Sequence, residues 1–174
     1  IVVYGCSGGG DLALEVAAAT EVCAIVPEEP ASILMTGVFN AKSPKKGERF
    51  TPQDSEPIWE NGKRYYTAEY QKLTRAKIAR IRCPILIVQG DQHPINRFNA
   101  DVLIPELRAA GKKVEVITYP GEPHCFGFHG TRPAGRQAAS KLFQDTDAFC
   151  RRHLPTKPKA IDSSLVKHVP LPPV

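Results

Sequence analysis

The chain has 174 residues, 42% of them hydrophobic and 24% charged, and a net charge of +5. That length holds one ordinary domain, and the balance is that of a globular protein rather than a disordered or fibrous one. The positive excess is scattered over residues 41–49, 62–66, 73–82, 111–113 and 150–153, is broken up by acids and comes with no RNA-binding motif. It therefore reads as solvated surface and speaks against nucleic acid as a partner, and no apolar run is long enough to span a bilayer.

In chain order, residues 1–4 (IVVY) predict a buried strand, and residues 9–20 a helix rich in Ala and Leu. Residues 21–27 (EVCAIVP) predict a second strand, β-branched and stopped by Pro27. Residues 28–66 are irregular, with prolines, glycines and charges, and Trp59, Tyr65 and Tyr66 suggest that this stretch folds back onto the body. Its part from about 39 to 66 is the candidate cover of a pocket. Residues 67–81 predict a helix with Thr67 as N-cap. Residues 83–90 (CPILIVQG) are a third strand. Residues 95–111 are a helix with Gly111 as its stop and a kink or break expected at Pro105. Residues 112–121 supply a fourth strand. Residues 136–154 form the last long helix, with Leu142, Phe143, Phe149, Cys150 and Leu154 expected inside, and residues 155–174 are a proline-rich, extended tail. Strands and helices alternate, and the strands are apolar on both faces. The fold class is therefore α/β, a parallel sheet flanked by helices, over residues 1–154.

In such a sheet, chemistry sits beyond the carboxyl ends of the strands. The first strand ends in Gly5-Cys6-Ser7-Gly8-Gly9, which fits G-x-S-x-G. A sharp strand-to-helix turn lifts the serine hydroxyl above the sheet, and the glycines on either side, Gly5 and Gly9, are expected to avoid collisions. The Gly8 N–H, at the helix start, is a candidate oxyanion donor. A phosphate-binding loop is excluded because Asp11 and Leu12 stand where Lys and Ser or Thr are needed. A dinucleotide fingerprint fails at Ser7 or at Ala13, depending on its starting glycine. A purely structural glycine turn is the bland alternative. Serine needs a base, and His124, in YPGEPHCFGF after the fourth strand, stands where one is expected. His129 and His153 lie in less telling places. Five cysteines at irregular spacing include no CxxC; Cys23 and Cys83 read as small core residues, and one disulfide among the five stays open.

The segments GCSGGGD, IRCPILIVQGDQHP and LRAAGKKVEVITYPGEPHCFGF resemble the C-terminal half of an α/β-hydrolase, of the prolyl oligopeptidase and dienelactone hydrolase branch. The resemblance implies a serine hydrolase acting on small ester or peptide substrates without cofactor or metal, with Ser7 as nucleophile and His124 as base. Dienelactone hydrolases typically carry cysteine at the elbow, so serine leans toward esterases and peptidases. One position departs from the family pattern. The acid usually stands three residues after the glycine that ends the third strand, and here that residue is His93. Asp91 is the first choice for the acid, with Glu28 and Glu29, after the second strand, as alternatives; a turn-capping role is the bland reading of Asp91. If no acid is present, the alternative is a hydrolase-fold protein that binds without turnover. The resemblance also implies that strands precede Ile1, that residues 1–4 form a sheet edge, and that this stretch alone lacks one oxyanion donor and is nearly inactive.

Overall fold

The structure is a computed structural model that describes residues 1–38, 57–128 and 133–154. Four strands, β1 (Val2–Cys6), β2 (Ala24–Glu28), β3 (Ile85–Gly90) and β4 (Val114–Tyr119), pair in parallel in the order β1-β2-β3-β4. Parallel neighbours need a crossover between them. The first is α1 (Gly8–Ala19), and the second contains α2 (Gly62–Tyr65) and α3 (Ala68–Arg80). The third is α4 (Ile95–Phe98), a wide π-helical turn (Asn99–Leu103) and α5 (Ile104–Ala109), and α6 (Pro133–His153) follows β4. The α/β sheet flanked by helices is thus as the sequence predicts, and β1 is an outer strand of the four.

Side-chain alternation along the strands builds two cores, one on each face. Ile25, Ile85 and Ile87 face α1, α3 and α5, meeting Leu14, Ile78, Leu103 and Leu107. Ala24, Val26, Leu86 and Val88 face α6, meeting Leu142 and Phe149. This two-sided cover is why β2 and β3 read as unbroken apolar runs, and every residue of both strands is buried. Two expectations on α6 fail: Phe143 is 55% exposed and Leu154 39% exposed. Phe143 follows Leu142 directly, and on a helix neighbours in sequence do not share a face.

Local signals set the helix ends. Thr67 Oγ1 accepts the Tyr70 N–H at 3.5 Å, as an N-cap should. The break expected at Pro105 takes the form of the π turn just before it, since proline has no N–H to give to the preceding turn. That turn buries Asn99, whose Nδ2 donates to the Pro30 carbonyl at 3.0 Å and whose Oδ1 accepts from Ser32 Oγ at 2.5 Å. A third cluster, of Ala31, Ile33, Ile58, Trp59, Ile95 and Phe98 with Tyr65, Tyr66 and Tyr70 against it, lies under these loops. The aromatic residues of the irregular stretch do fold back, and the Trp59 Nε1–H donates to the Ala31 carbonyl at 3.1 Å. The rest of the candidate pocket cover, 39–56, and the tail, 155–174, lie outside the described residues, as does His129. Among the described residues no helix is long and apolar enough to cross a membrane.

The turn from β1 to α1 is tight. A Cβ on Gly5 would lie 2.4 Å from the Gly9 carbonyl oxygen, so only glycine fits there. The expectation that Gly9 is needed for the same reason is not met. A Cβ on Gly9 meets nothing within 4 Å, because the clash runs from the side chain at position 5 to the backbone at position 9 and not in reverse. Gly5→Ala should therefore cost about 1–3 kcal/mol of unfolding free energy, as overpacking does, whereas Gly9→Ala should leave stability near wild type. Chemical denaturation of the two variants checks this asymmetry.

Candidate active site

Because the sheet is parallel, Cys6, Glu28, Gly90 and Tyr119 all end at one rim, and four loops leave it side by side. Ser7 heads the first, with φ 55° and ψ −118°. Such a conformation is strained for a residue with a side chain and persists only where its surroundings enforce it. Here the Ser7 N–H donates to the Glu28 carbonyl at 2.9 Å, and the Ser7 carbonyl accepts from Ala31 at 3.0 Å and Asp11 at 3.1 Å. The elbow is thus tied to the loop after β2. Gly8 opens α1, so its N–H has no intrahelical acceptor and stays available to an anion.

The loop after β2 carries Glu29, which is fully buried and also has a positive φ, 41°. Its Oε1 accepts the Gly90 N–H at 3.0 Å and Asn96 Nδ2 at 2.8 Å, and its Oε2 accepts the Cys125 N–H at 2.5 Å. The same Oε2 lies 3.0 Å from Nδ1 of His124, a close charge contact whose geometry is not that of a hydrogen bond. Glu29, and not Asp91, is the carboxylate beside His124. Asp91 is exposed, and its Oδ1 accepts from the Gly121 N–H at 2.9 Å and from Gln92 Nε2 at 2.5 Å. It ties the loop after β3 to the turn after β4, the bland reading considered from sequence. Position explains the outcome: β2 is an inner strand between the serine-bearing β1 and β3, and Glu29 reaches across the end of β3 toward the histidine loop. That loop is held close to the sheet. A Cβ at Gly90 would stand 2.1 Å from the Glu122 carbonyl oxygen.

Two further groups complete the site. His93, at the family's acid position, stacks on the ring of His124 with centroids 4.5 Å apart, and Trp59 meets His93 edge-on at 5.4 Å. His93 therefore buttresses the ring of His124. A disulfide joins Cys6 to Cys125 across 119 residues, with Cα atoms 6.0 Å apart. These are the residues just before Ser7 and just after His124, so the bridge makes the nucleophile elbow and the histidine loop neighbours. No hydrogen bond links Ser7 to His124 directly; the two loops meet through the bridge. Cys125 too has a positive φ, 56°. The pairing was within reach of the sequence: if Ser7 and His124 work together, the cysteines adjoining them must also be close.

The neighbouring carboxylates Glu28 and Glu29 are pushed in opposite directions. Burial raises both, but at Glu29 it is outweighed by His124, Asn96 and the Cys125 N–H, which hold the group below the ordinary glutamate range. At Glu28 burial prevails over the bonds from Tyr4 and Gly127, and the charge of Glu29 adds to it, so Glu28 is raised. Glu28 bonds the Tyr4 hydroxyl through Oε2 and accepts the Gly127 N–H at 3.0 Å, bracing the far side of the histidine loop. The two carboxylates are thus shifted apart, the usual outcome when two such groups must coexist.

Comparison with known proteins bears on the family and the fold. The model of the dienelactone hydrolase family matches residues 60–154. No match was found among curated proteins. The fold is similar to the acylaminoacyl peptidase of Pyrococcus horikoshii (TM-score 0.57, 20% identity), with 94% of this chain and 26% of that chain covered. It is also similar to a hormone-sensitive lipase from a metagenome library (TM-score 0.55, 18% identity, 88% of this chain and 54% of that one). A third likeness is to EstE5, in a crystal soaked with p-nitrophenyl butyrate (TM-score 0.55, 19% identity, 87% and 52%). The chain thus spans about a quarter of the peptidase and about half of the other two.

The two carboxylates give opposite pH signatures. Glu28, raised in the fold, contributes stability that is present below its unfolded value of 4.5 and lost as pH rises through the folded one. Glu29, lowered, contributes stability that is present above 4.5 and lost as pH falls through its folded value. Thermal melts should therefore show Glu28→Gln gaining on wild type as pH rises from about 4.5 toward neutrality. Glu29→Gln should instead lose ground below that interval, as pH rises toward about 4.5, and keep a constant gap above it. Gaps that do not change with pH would refute the division.

Proposed function

Because the chain belongs to the dienelactone hydrolase family, we propose that it is a serine hydrolase of small ester or peptide substrates working through Ser7, His124 and Glu29. The observation that carries the reading is Glu29 behind Nδ1 of His124, on a loop bridged to the residue preceding Ser7. In the reaction, Ser7 Oγ attacks the substrate carbonyl while Nε2 of His124 takes its proton. Nδ1–H stays on the ring, held by Glu29, whose charge stabilises the imidazolium. The developing oxyanion is met by the Gly8 N–H at the start of α1. Collapse of the intermediate expels the alcohol or amine, which receives the proton from His124. Water, deprotonated by the same nitrogen, then releases the acid and restores Ser7.

The ring of His93 keeps that of His124 upright, and the Asp91 contact with Gly121 sets the height of its loop. The competing idea of a binding protein without turnover arose from His93 standing in the family's acid position. Glu29 removes its motive, since a buried carboxylate adjoins His124 from another loop. Among the similar structures are both a peptidase and esterases, which is why ester and peptide bonds are both kept in the reading.

The test is turnover of an activated ester such as p-nitrophenyl butyrate by the purified protein, together with labelling by a fluorophosphonate. Wild type should label at Ser7, and Ser7→Ala should neither label nor turn over. Glu29→Gln should lose about 10³–10⁴ in kcat, the loss expected when the residue that orients the histidine becomes an amide. Asp91→Asn, which keeps an acceptor for Gly121, should stay near wild type. A large loss in Asp91→Asn with Glu29→Gln active would reverse the assignment of the acid.

A further inference from the structure

The Cys6–Cys125 bridge has chemical neighbours that a purely structural crosslink does not need. Sγ of both cysteines, one ring nitrogen of His124 and a carboxylate oxygen of Glu29 all lie within 4.8 Å of one another, and Nδ1 is the His124 nitrogen that faces Glu29, at 3.0 Å. Two thiolates, one imidazole and one carboxylate form a donor set suited to a thiophilic divalent ion, zinc above all. The spacing fits as well. Tetrahedral bonds of about 2.3 Å to sulfur and about 2.0–2.1 Å to nitrogen and oxygen put sulfur atoms about 3.8 Å apart and the nitrogen and oxygen about 3.4 Å apart. Relative to the oxidised structure, the sulfurs part once their bond is broken, and the Glu29–His124 contact must open from 3.0 Å by a few tenths of an ångström.

We propose that reduction of the Cys6–Cys125 disulfide turns this corner of the site into a four-donor Zn²⁺ site, Cys6, Cys125, His124 and Glu29, and that the bound ion shuts off hydrolysis; the second half rests on the relay proposed above. The chemistry balances. A dithiol supplies two electrons and two protons to the S–S bond and itself becomes a disulfide, leaving two thiols on the protein. The ion displaces one proton from each thiol into solvent. His124 binds through Nδ1 as the neutral ring, so its single proton moves to Nε2 through solvent. Nε2 is the nitrogen that must accept the proton of Ser7, and once protonated it cannot. The ion also takes Glu29 away from the ring. Both cysteines are partly exposed, which gives a reductant access, and the other three, Cys23, Cys83 and Cys150, are free thiols in either state. The oxidised protein is therefore an internal control for adventitious binding to those thiols.

The experiment compares oxidised protein with protein reduced by a dithiol and freed of it under nitrogen, each with circular dichroism to verify folding. Co²⁺ is the spectroscopic probe, and Zn²⁺ its competitor. The reduced protein should bind one Co²⁺ with a thiolate-to-cobalt charge-transfer band, displaced by one Zn²⁺, and the oxidised protein should show no such band. Cys125→Ser should weaken binding by more than tenfold without depending on activity as the readout. Zn²⁺ should inhibit ester hydrolysis by the reduced protein only, and a chelator should restore it. Equal binding by both redox forms, no stoichiometric ion in the folded reduced protein, or stoichiometric Zn²⁺ without inhibition of an active enzyme would overturn the proposal. Failure of the hydrolase reading has a different signature: no turnover or labelling in any state, with the redox-dependent cobalt band still present.

Discussion

A carboxylate with no access to water must find its partners in the protein, and Glu29 gathers them from three segments. The backbone at the end of β3, Asn96 on α4, and the histidine loop after β4 all converge on its two oxygens. Leaving such a group unpaired would cost several kcal/mol, so the loops cannot drift apart without exposing that penalty. The rest of the rim follows. The Ser7 N–H is bonded to the residue before Glu29, Asp11 on α1 accepts from Leu34 and Met35 farther along the same loop, and Asn99 in the π turn holds Pro30 and Ser32. The π turn, awkward as helix geometry, puts Asn99 where that loop needs a donor.

Backbone strain is concentrated at the same rim. Of the four non-glycine residues with positive φ among the described residues, Ser7, Glu29 and Cys125 belong to the candidate site and Ser32 to the loop beside it. The crosslink between Cys6 and Cys125 helps sustain this. Closing a loop of more than a hundred residues removes on the order of 4–5 kcal/mol of denatured-state entropy in the chain-entropy account. It also holds the serine and histidine loops to one separation, so that the histidine approaches the elbow already oriented by Glu29 and buttressed by His93.

Those parts of the molecule governed by short-range rules were legible in the sequence. Two-sided apolar runs gave β2 and β3, Thr67 and Gly111 marked helix ends, and the glycine before a lone serine gave the elbow. The carboxylate beside His124 was not legible, because its identity depends on which loop reaches across the strand ends, a tertiary fact. Asp91 stands in the right loop but bonds the turn at Gly121, and Glu29, two positions beyond an unremarkable Pro27, turns inward because its positive φ redirects the chain. The disulfide leaves no spacing pattern over 119 residues, and only the pairing of Ser7 with His124, itself a tertiary inference, points to it. Phe143 shows the limit of composition, since an aromatic residue beside a core leucine on a helix still faces outward.

The central claim is that Glu29 holds the proton on Nδ1 of His124. Proton NMR of protein labelled with ¹⁵N-histidine tests it most directly. The account predicts a strongly downfield Nδ1–H resonance, intact in Asp91→Asn and absent in Glu29→Gln. A resonance that survives Glu29→Gln and disappears in Asp91→Asn would contradict it.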